Sequence, residues 1–451
     1  MNPGIFREYD IRGVVGKDIM EADVINIGKA YGTLLARSGK KTVSVGRDCR
    51  KTSDMFSDLF IQGITSTGCN VIDIGTCPTP VLYFSIHHLN LDGGAMVTAS
   101  HNPPEYNGFK LMNGQDSIHS HGLQDVRILI ENNDFEEGRG NLTRQDVMPA
   151  YMDNILDIIK IRKTIRVGID AGNGTGGVTA LPVLKKLGCE VHDIFCDMDG
   201  SFPNHEADPT QKKNLGDLIK LVKENHLDLG VGYDGDADRI GVVDKNGQVI
   251  YGDQLMIIYA REILQRQPGA TFISEVKCSM VMYDDIRKHG GIAIMWRTGH
   301  SLIKKKMKEE NAALAGEMSG HMFFKDRYLG FDDALYATCR LLEIMADTGK
   351  GVDELIADLP RTYTTPELRV ECPDNIKFKV VDKIVAHFKA RQEVIDIDGL
   401  RAVYKDGWGL VRASNTQPAL VLRFEALSQS RLEEIRAEIE SALKTIIDEI
   451  K

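Results

Sequence analysis

One pattern recurs three times along the chain and restricts the folds open to it. TVSVGRD (42–48) leads through an amphipathic stretch to TGCNVIDIG (67–75). TIRVGID (164–170) leads likewise to LGCEVHDIF (187–195), and TFISEVK (271–277) to HGGIAIMWR (289–297). Each unit is a short β-branched run, a helical segment, a glycine turn at Gly68, Gly188 or Gly290, and a second β-branched run. Two strands joined through a helix lie parallel, with a right-handed crossover. The pattern predicts three α/β units, each on a mainly parallel sheet.

After about residue 365 the texture changes. IKFKVVDKIVAHFKARQ reads as an amphipathic helix with Val381, Ile384, Val385 and Phe388 on one face. Two strand-rich segments follow, with a hairpin expected around Asp406-Gly407. The chain closes on a helix with Leu432, Ile435, Ile439, Ala442, Ile446 and Ile447 as its apolar positions. The expected fold is three similar mixed α/β domains, 1–146, 147–249 and 250–365, and a smaller α+β domain, 366–451, around a central cleft. A length of 451 residues alone suggests about three domains.

Composition narrows the function. Lys plus Arg number 55 and Asp plus Glu 65, a net charge of −10, which argues against a general nucleic-acid binder but not against a local basic pocket. MNPGIFREYDIRG contains no apolar signal-peptide core, and no run of about 18 apolar residues predicts a membrane span. Eight scattered cysteines form no CxxC and no zinc-type spacing. A reducing, cytoplasmic setting is expected.

Four segments carry chemistry. In GGAMVTASHNPPEYNGFKLM (93–112), a strand-like run ends in Ser100-His101-Asn102 before two prolines that stiffen the turn, with Lys110 beyond. A serine so placed suits a nucleophile or a plain polar turn, and GxSxG is absent. In LGVGYDGDADRIGVVDKNG (229–247), Asp234, Asp236 and Asp238 crowd one loop. Three carboxylates so close need a cation, and hard oxygen ligands suit Mg²⁺. An EF-hand is excluded because Arg239 and Lys245 stand where its Gly and Glu belong. A nucleophilic Asp234 or Asp236 of a phosphatase, or an acidic turn, are the rival uses. In LAGEMSGHMFFKD (314–326), Glu317 and Ser319, with His321 nearby, suit sugar hydroxyls. In GWGLVRASNTQPALVLRFE (407–425), Arg412, Ser414, Asn415, Thr416 and Arg423 suit a phosphate monoester. Lesser candidates are Arg7, Arg12, Lys277 and the Arg297–His300 loop. DAGNGTGG (170–177) lacks the P-loop lysine and reads as a structural strand-to-helix turn.

These four loops, one per unit and in order, resemble those of the α-D-phosphohexomutase family, most closely its bacterial phosphomannomutase/phosphoglucomutase group. The resemblance runs from FREYDIRG to RASNTQPALVLRFE, and TASHNPPEYNGFK with DGDADR is its most specific part. Phosphoglucosamine mutases look similar but usually carry Gln where Met318 stands. The resemblance implies a mutase interconverting hexose 1- and 6-phosphates of mannose or glucose through a phosphoserine at Ser100 and a hexose 1,6-bisphosphate. It implies Mg²⁺ on Asp234, Asp236, Asp238 and the phosphoserine. Glu317 and Ser319 would contact sugar hydroxyls, and Arg412, Ser414, Asn415, Thr416 and Arg423 the non-reacting phosphate. Tyr9, Arg12, His101, Asn102, Lys110, Arg239, Lys277, His300 and His321 match other active-site positions. His321, or Arg12 with Lys110, would move the proton. The partners implied are small hexose phosphates, with monomer and dimer both open. A phosphoglucosamine mutase, an aspartyl-phosphate sugar phosphatase and a non-catalytic sugar-phosphate binder are the alternatives.

Overall fold

The computed structural model describes residues 1–414 and 418–450. Asn415 and Thr416, two of the expected phosphate-binding residues, lie outside the described residues. Among the described residues the strands form four sheets. In the first, Thr42–Arg47 lies between Asn70–Thr76 and Gly93–Val97, all parallel. In the second, Arg166–Asp170 lies between Glu190–Ile194 and Leu229–Tyr233 in the same way. In the third, Thr271–Glu275 lies between Ile292–Trp296 and Leu314–Gly316. The helices Ser53–Thr65, Gly177–Lys186 and Met280–Lys288 provide the crossovers. Each is followed by its expected glycine, Gly68, Gly188 or Gly290, at φ 91°, 85° and 83°. Only glycine adopts this left-handed conformation freely, and it ends the helix there.

The sheets are less parallel than the repeat suggests. The third parallel strand of each unit turns straight back into an antiparallel neighbour: Tyr106–Asn113, Ile240–Asp244 or Met322–Phe324. An antiparallel partner needs no helix, only a short turn, so it leaves no crossover signal in the sequence. The three turns are 98–105, 234–239 and 317–321, which are three of the four loops singled out for chemistry. All three leave the carboxyl end of the third parallel strand.

The fourth sheet is antiparallel. Leu400–Tyr404 meets Gly407–Ala413 through the two-residue turn Lys405-Asp406, and Gly407–Ala413 pairs with Ala419–Ala426. The helices Asp374–Lys389 and Gln429–Ile450 cover one face. Val381, Ile384 and Phe388 are buried as expected, with Val385 half-buried. On the last helix Leu443 is buried, while Ala442 and Ile447 only border the core.

One hydrophobic core joins the first three units, reaching the first sheet at Ile74, Met96 and Met112, and the first unit closes a second core of its own around Val45, Phe60 and Phe109. The fourth sheet closes a core of its own. A small cluster of Val276, Trp408 and Leu410 joins it to the third unit. Arg401, fully buried, lies 3.7 Å from the Trp408 ring centroid and donates to the carbonyls of Val276 and Cys278. A buried Trp typically carries about 3–5 kcal/mol, so this cluster is a substantial apolar link for its size. All eight cysteines are free, and burial pushes the Cys77 thiol up to about 12, as for an inert apolar side chain. Among the described residues no helix is long and apolar enough to cross a membrane.

Candidate active site

Ser100 sits in the first of the three equivalent turns, 1% exposed and at φ 50°. Its hydroxyl donates to Asp234 Oδ2 at 2.8 Å and lies 3.0 Å from His101 Nδ1. The first turn therefore meets the second directly. Gly235 makes this approach possible, since a Cβ there would stand 2.5 Å from the Ser100 carbonyl oxygen. Behind Gly235 lies the DAGNGTGG segment: Thr175 donates its N–H to the Gly235 carbonyl, and a Cβ on Gly174 would strike it. That glycine-rich segment buttresses the aspartate loop and is the structural turn expected of it.

Asp234, Asp236 and Asp238 are fully buried. Lys110 Nζ reaches both Asp236 Oδ2 and Asp238 Oδ2 at 2.5 Å, and Thr79 donates to Asp236 Oδ2 at 2.5 Å. Burial and the adjoining Asp238 and Asp236 push Asp234 well above the usual carboxylate range. Burial acts the same way on Asp236, but Lys110 outweighs it and holds that carboxyl below its usual range. For Lys110, burial favours the neutral amine, yet Asp236 and Asp238 prevail and keep it protonated.

Above these carboxylates lies a histidine group. Arg239 Nε donates to His321 Nε2 at 2.9 Å, while His321 Nδ1 lies 3.0 Å from Asp332 Oδ2 and 3.5 Å from Asp238 Oδ1. This pattern assigns the proton of a neutral His321 to Nδ1. His300 stacks on His321 with centroids 5.4 Å apart, and Tyr9 meets His300 edge-on. Burial, then nearby cations, hold His101 and His300 well below the usual imidazole range, so both are neutral. Arg12 donates to Asp10 at 2.8 Å and to Asn102 Oδ1 at 2.7 Å, which ties the N-terminal segment to the Ser100 turn.

In the third turn, Glu317 accepts from the Gly299 N–H at 2.7 Å and from the Ser319 hydroxyl at 3.0 Å. Buried Glu275 accepts from the Met318 N–H at 3.2 Å and the Thr298 hydroxyl at 2.7 Å. Lys277 Nζ lies 3.5 Å from Glu275 and 3.4 Å from Glu367. Asp398, from the fourth sheet unit, accepts from the Thr298 N–H at 3.0 Å and from Arg412 Nε at 2.9 Å. Arg423 reaches the Met318 sulfur.

All four sheet units border one cleft of about 970 Å³. Tyr9, Arg12, His101, Asn102, Arg239, Lys277, His300, Glu317, Ser319, His321, Arg412, Ser414 and Arg423 line it. Ser100, Lys110 and the three aspartates lie buried behind this lining, with Ser100 against His101, and Asp234 3.9 Å from Arg239.

Comparison with known proteins agrees with this arrangement. The phosphoglucomutase/phosphomannomutase alpha/beta/alpha domain I family matches residues 3–137, domain II 149–247, domain III 251–363, and the C-terminal domain family 367–442. The chain belongs to the phosphoglucomutase/phosphomannomutase family. A Pseudomonas putida phosphomannomutase/phosphoglucomutase is 43% identical over 448 residues, 99% of this chain and 97% of that one. A Neisseria meningitidis phosphoglucomutase is 43% identical over 446 residues, 98% of this chain and 97% of its own. The crystal structure of a Burkholderia thailandensis phosphoglucomutase/phosphomannomutase family protein is similar at TM-score 0.94 and 42% identity, over 99% of this chain and 98% of that one.

In this member of the phosphoglucomutase/phosphomannomutase family the aspartate loop is suited to a metal ion by its donors. One ligand atom from each of Asp234, Asp236 and Asp238 lies within 4.8 Å of the others. Asp236 Oδ1 and Asp238 Oδ1 are buried and take no hydrogen bond among the described residues. Such atoms are costly unless something positive meets them. Sequence reasoning missed Asp48, Arg50, Thr79, Glu275, Asp332 and Asp398. Of these, Asp48-Arg50 and Glu275 stand at or just past the ends of first-unit and third-unit strands, where side chains reach the cleft end of a parallel sheet.

Proposed function

We propose that the chain is a Mg²⁺-dependent phosphohexose mutase acting on mannose and glucose phosphates. The observation that carries this reading is the Ser100 hydroxyl, bonded to Asp234 at 2.8 Å and next to His101 in the lining of a cleft that all four sheet units border. The working form bears a phosphoryl group on Ser100. That group passes to the free hydroxyl of a hexose monophosphate: the Ser100 O–P bond breaks, a sugar O–P bond forms, and the hydroxyl proton leaves. The product is a hexose 1,6-bisphosphate, which turns about in the cleft. Its other phosphoryl group then returns to Ser100, and the freed sugar oxygen regains a proton. Hexose 1,6-bisphosphate is therefore also the activator that phosphorylates a bare Ser100.

The side chains supply alignment and charge, which phosphoryl transfer needs most. Lys110 offsets charge from beneath. Asp234, Asp236 and Asp238 would hold Mg²⁺, which when bound neutralises charge on the moving group. His321, once its Nε2 leaves Arg239, or Arg12 with Lys110, takes and returns the hydroxyl proton. Glu317 and Ser319 hold sugar hydroxyls. Arg412, Ser414, Asn415, Thr416 and Arg423, with Lys277, hold the non-reacting phosphate in either orientation. Tyr9 and His300 wall the sugar, and Arg12, His101, Asn102 and Arg239 fix the reacting end. Eight free thiols support a cytoplasmic location. The division at residues 146, 249 and 365 belongs to this reading, with one chemical loop in each part.

A coupled assay with mannose 1-phosphate, glucose 1-phosphate and glucosamine 1-phosphate tests it. The expected result is isomerisation of the first two, one phosphoryl group by intact mass, and a fall of at least about 10⁴-fold in Ser100→Ala. Net phosphate release without isomerisation, with label on Asp234 or Asp236, overturns it. Preference for the glucosamine ester overturns the substrate assignment alone.

A further inference from the structure

Arg50 does not line the cleft and has been given no role above, yet every donor of its side chain is used. The side chain is fully buried. Nη2 donates to the carbonyls of Ser100 at 2.7 Å and Asn102 at 2.5 Å. Nη1 donates to the carbonyls of Pro103 at 2.6 Å and Tyr106 at 3.1 Å. Nε donates to Asp48 at 3.1 Å, and the Phe202 ring of the second unit covers the guanidinium at 5.0 Å. Asp48 also accepts from the Thr98 hydroxyl at 2.7 Å, and Thr98 in turn accepts the Ser100 N–H at 2.8 Å. Ser100 is thus held on both sides, its N–H through Thr98 and Asp48 and its carbonyl by Arg50. That hold is needed, because a serine at φ 50° lies in a sparsely populated backbone region.

The direction of these contacts matters as much as their number. A trans peptide points its C=O and N–H to opposite sides, and the chain has no cis bond among the described residues. Drawing the Ser100 carbonyl down onto Arg50 therefore turns the His101 N–H up, towards the reacting side, and no described residue accepts it. Fixed donors aimed at developing negative charge need no rearrangement during reaction.

We propose that Arg50 is a positioning residue for phosphoryl transfer: it folds the Ser100 turn around itself so that the His101 N–H faces the phosphoryl group carried by Ser100. This rests on the mutase reading above. A merely structural arginine would alter stability or affinity; a positioning one alters kcat at unchanged KM.

The test uses the full-length phosphorylated protein with glucose 1-phosphate. Arg50→Lys keeps the charge but cannot span four carbonyls, so kcat should fall about 100-fold with KM within about threefold. Arg50→Ala should regain part of that loss in millimolar methylguanidinium. Thr98→Val, close to isosteric, leaves the Ser100 N–H and Asp48 short of a partner, so it should lower Tm and, assayed well below that Tm, lower kcat about tenfold. Lys51→Ala, an exposed neighbour, is the control and should match wild type. Arg50→Lys within threefold of wild-type kcat, or a rise confined to KM, overturns the proposal. If neither Arg50 variant folds, Thr98→Val decides, and unchanged kcat there overturns it. A wild-type chain that isomerises nothing overturns the mutase reading itself.

Discussion

The Ser100 turn and the Glu317 turn leave their sheets at the same place, yet opposite charges hold them. Around Ser100 a buried arginine gathers four backbone carbonyls. Around Glu317 two buried carboxylates gather backbone N–H groups, those of Gly299, Lys277 and Met318. Collecting carbonyls leaves N–H groups to face the cleft, which favours an anion. Collecting N–H groups leaves carboxylate and hydroxyl oxygens there, which favours sugar hydroxyls. A repeated topology fixes where a turn emerges, and the charge buried beneath it selects what that turn binds. The first turn should accordingly govern kcat and the third KM.

The strongest attack on the kcat side is chelation of the metal that the aspartate loop is proposed to hold. Stripping with EDTA should lower turnover at least about 10³-fold, and Mg²⁺ should restore it. Turnover that survives chelation would detach the aspartate loop from the Ser100 turn. A smaller effect sharpens the other side: Glu317→Gln should raise KM for glucose 1-phosphate about tenfold, with kcat and the phosphoserine content by intact mass nearly unchanged. Loss of phosphoserine in that variant would break the contrast, since both turns would then serve the same step. The smallest effect concerns a contact that ties the third unit to the fourth. Lys277 holds the Glu367 carboxyl down at about 2, below its ordinary 4.5. A carboxyl lowered in the folded state stabilises above its unfolded value and loses that effect as pH falls. The Tm advantage of wild type over Glu367→Gln should thus be constant above about pH 5 and shrink towards pH 3. A gap that widens in acid would reverse the assignment.

Much of this was legible from the chain alone, for identifiable reasons. The crossover units show because β-branched runs, helical spacing and a left-handed glycine recur together at 42–75, 164–195 and 271–297. Ser100, the three aspartates and Glu317 show because their chemistry is concentrated in short turns. The antiparallel strands after those turns do not show, since Met322–Phe324 is only three residues long and needs no crossover. Arg50, Glu275 and Asp332 do not show because their partners lie far along the chain or are backbone atoms. The Asp332–His321 contact joins two turns of the third unit, and Glu275 reaches Met318 across 43 positions. Only a folded backbone brings such pairs together.

The separate core of the fourth unit bears on how the molecule comes apart. The first three units share an apolar interior, to which the first adds a core of its own, and lose that shared interior together, whereas the fourth shares none of it and can lose its own while the rest stands. Among the described residues the two blocks meet through the small Val276, Trp408 and Leu410 cluster with Arg401, through hydrogen bonds such as those from Thr298 to Asp398 and from Met280 to Glu425, and through the Lys277–Glu367 ion pair. A hexose phosphate that touches both walls of the cleft would add the missing thermodynamic coupling, and the two blocks would then unfold as one.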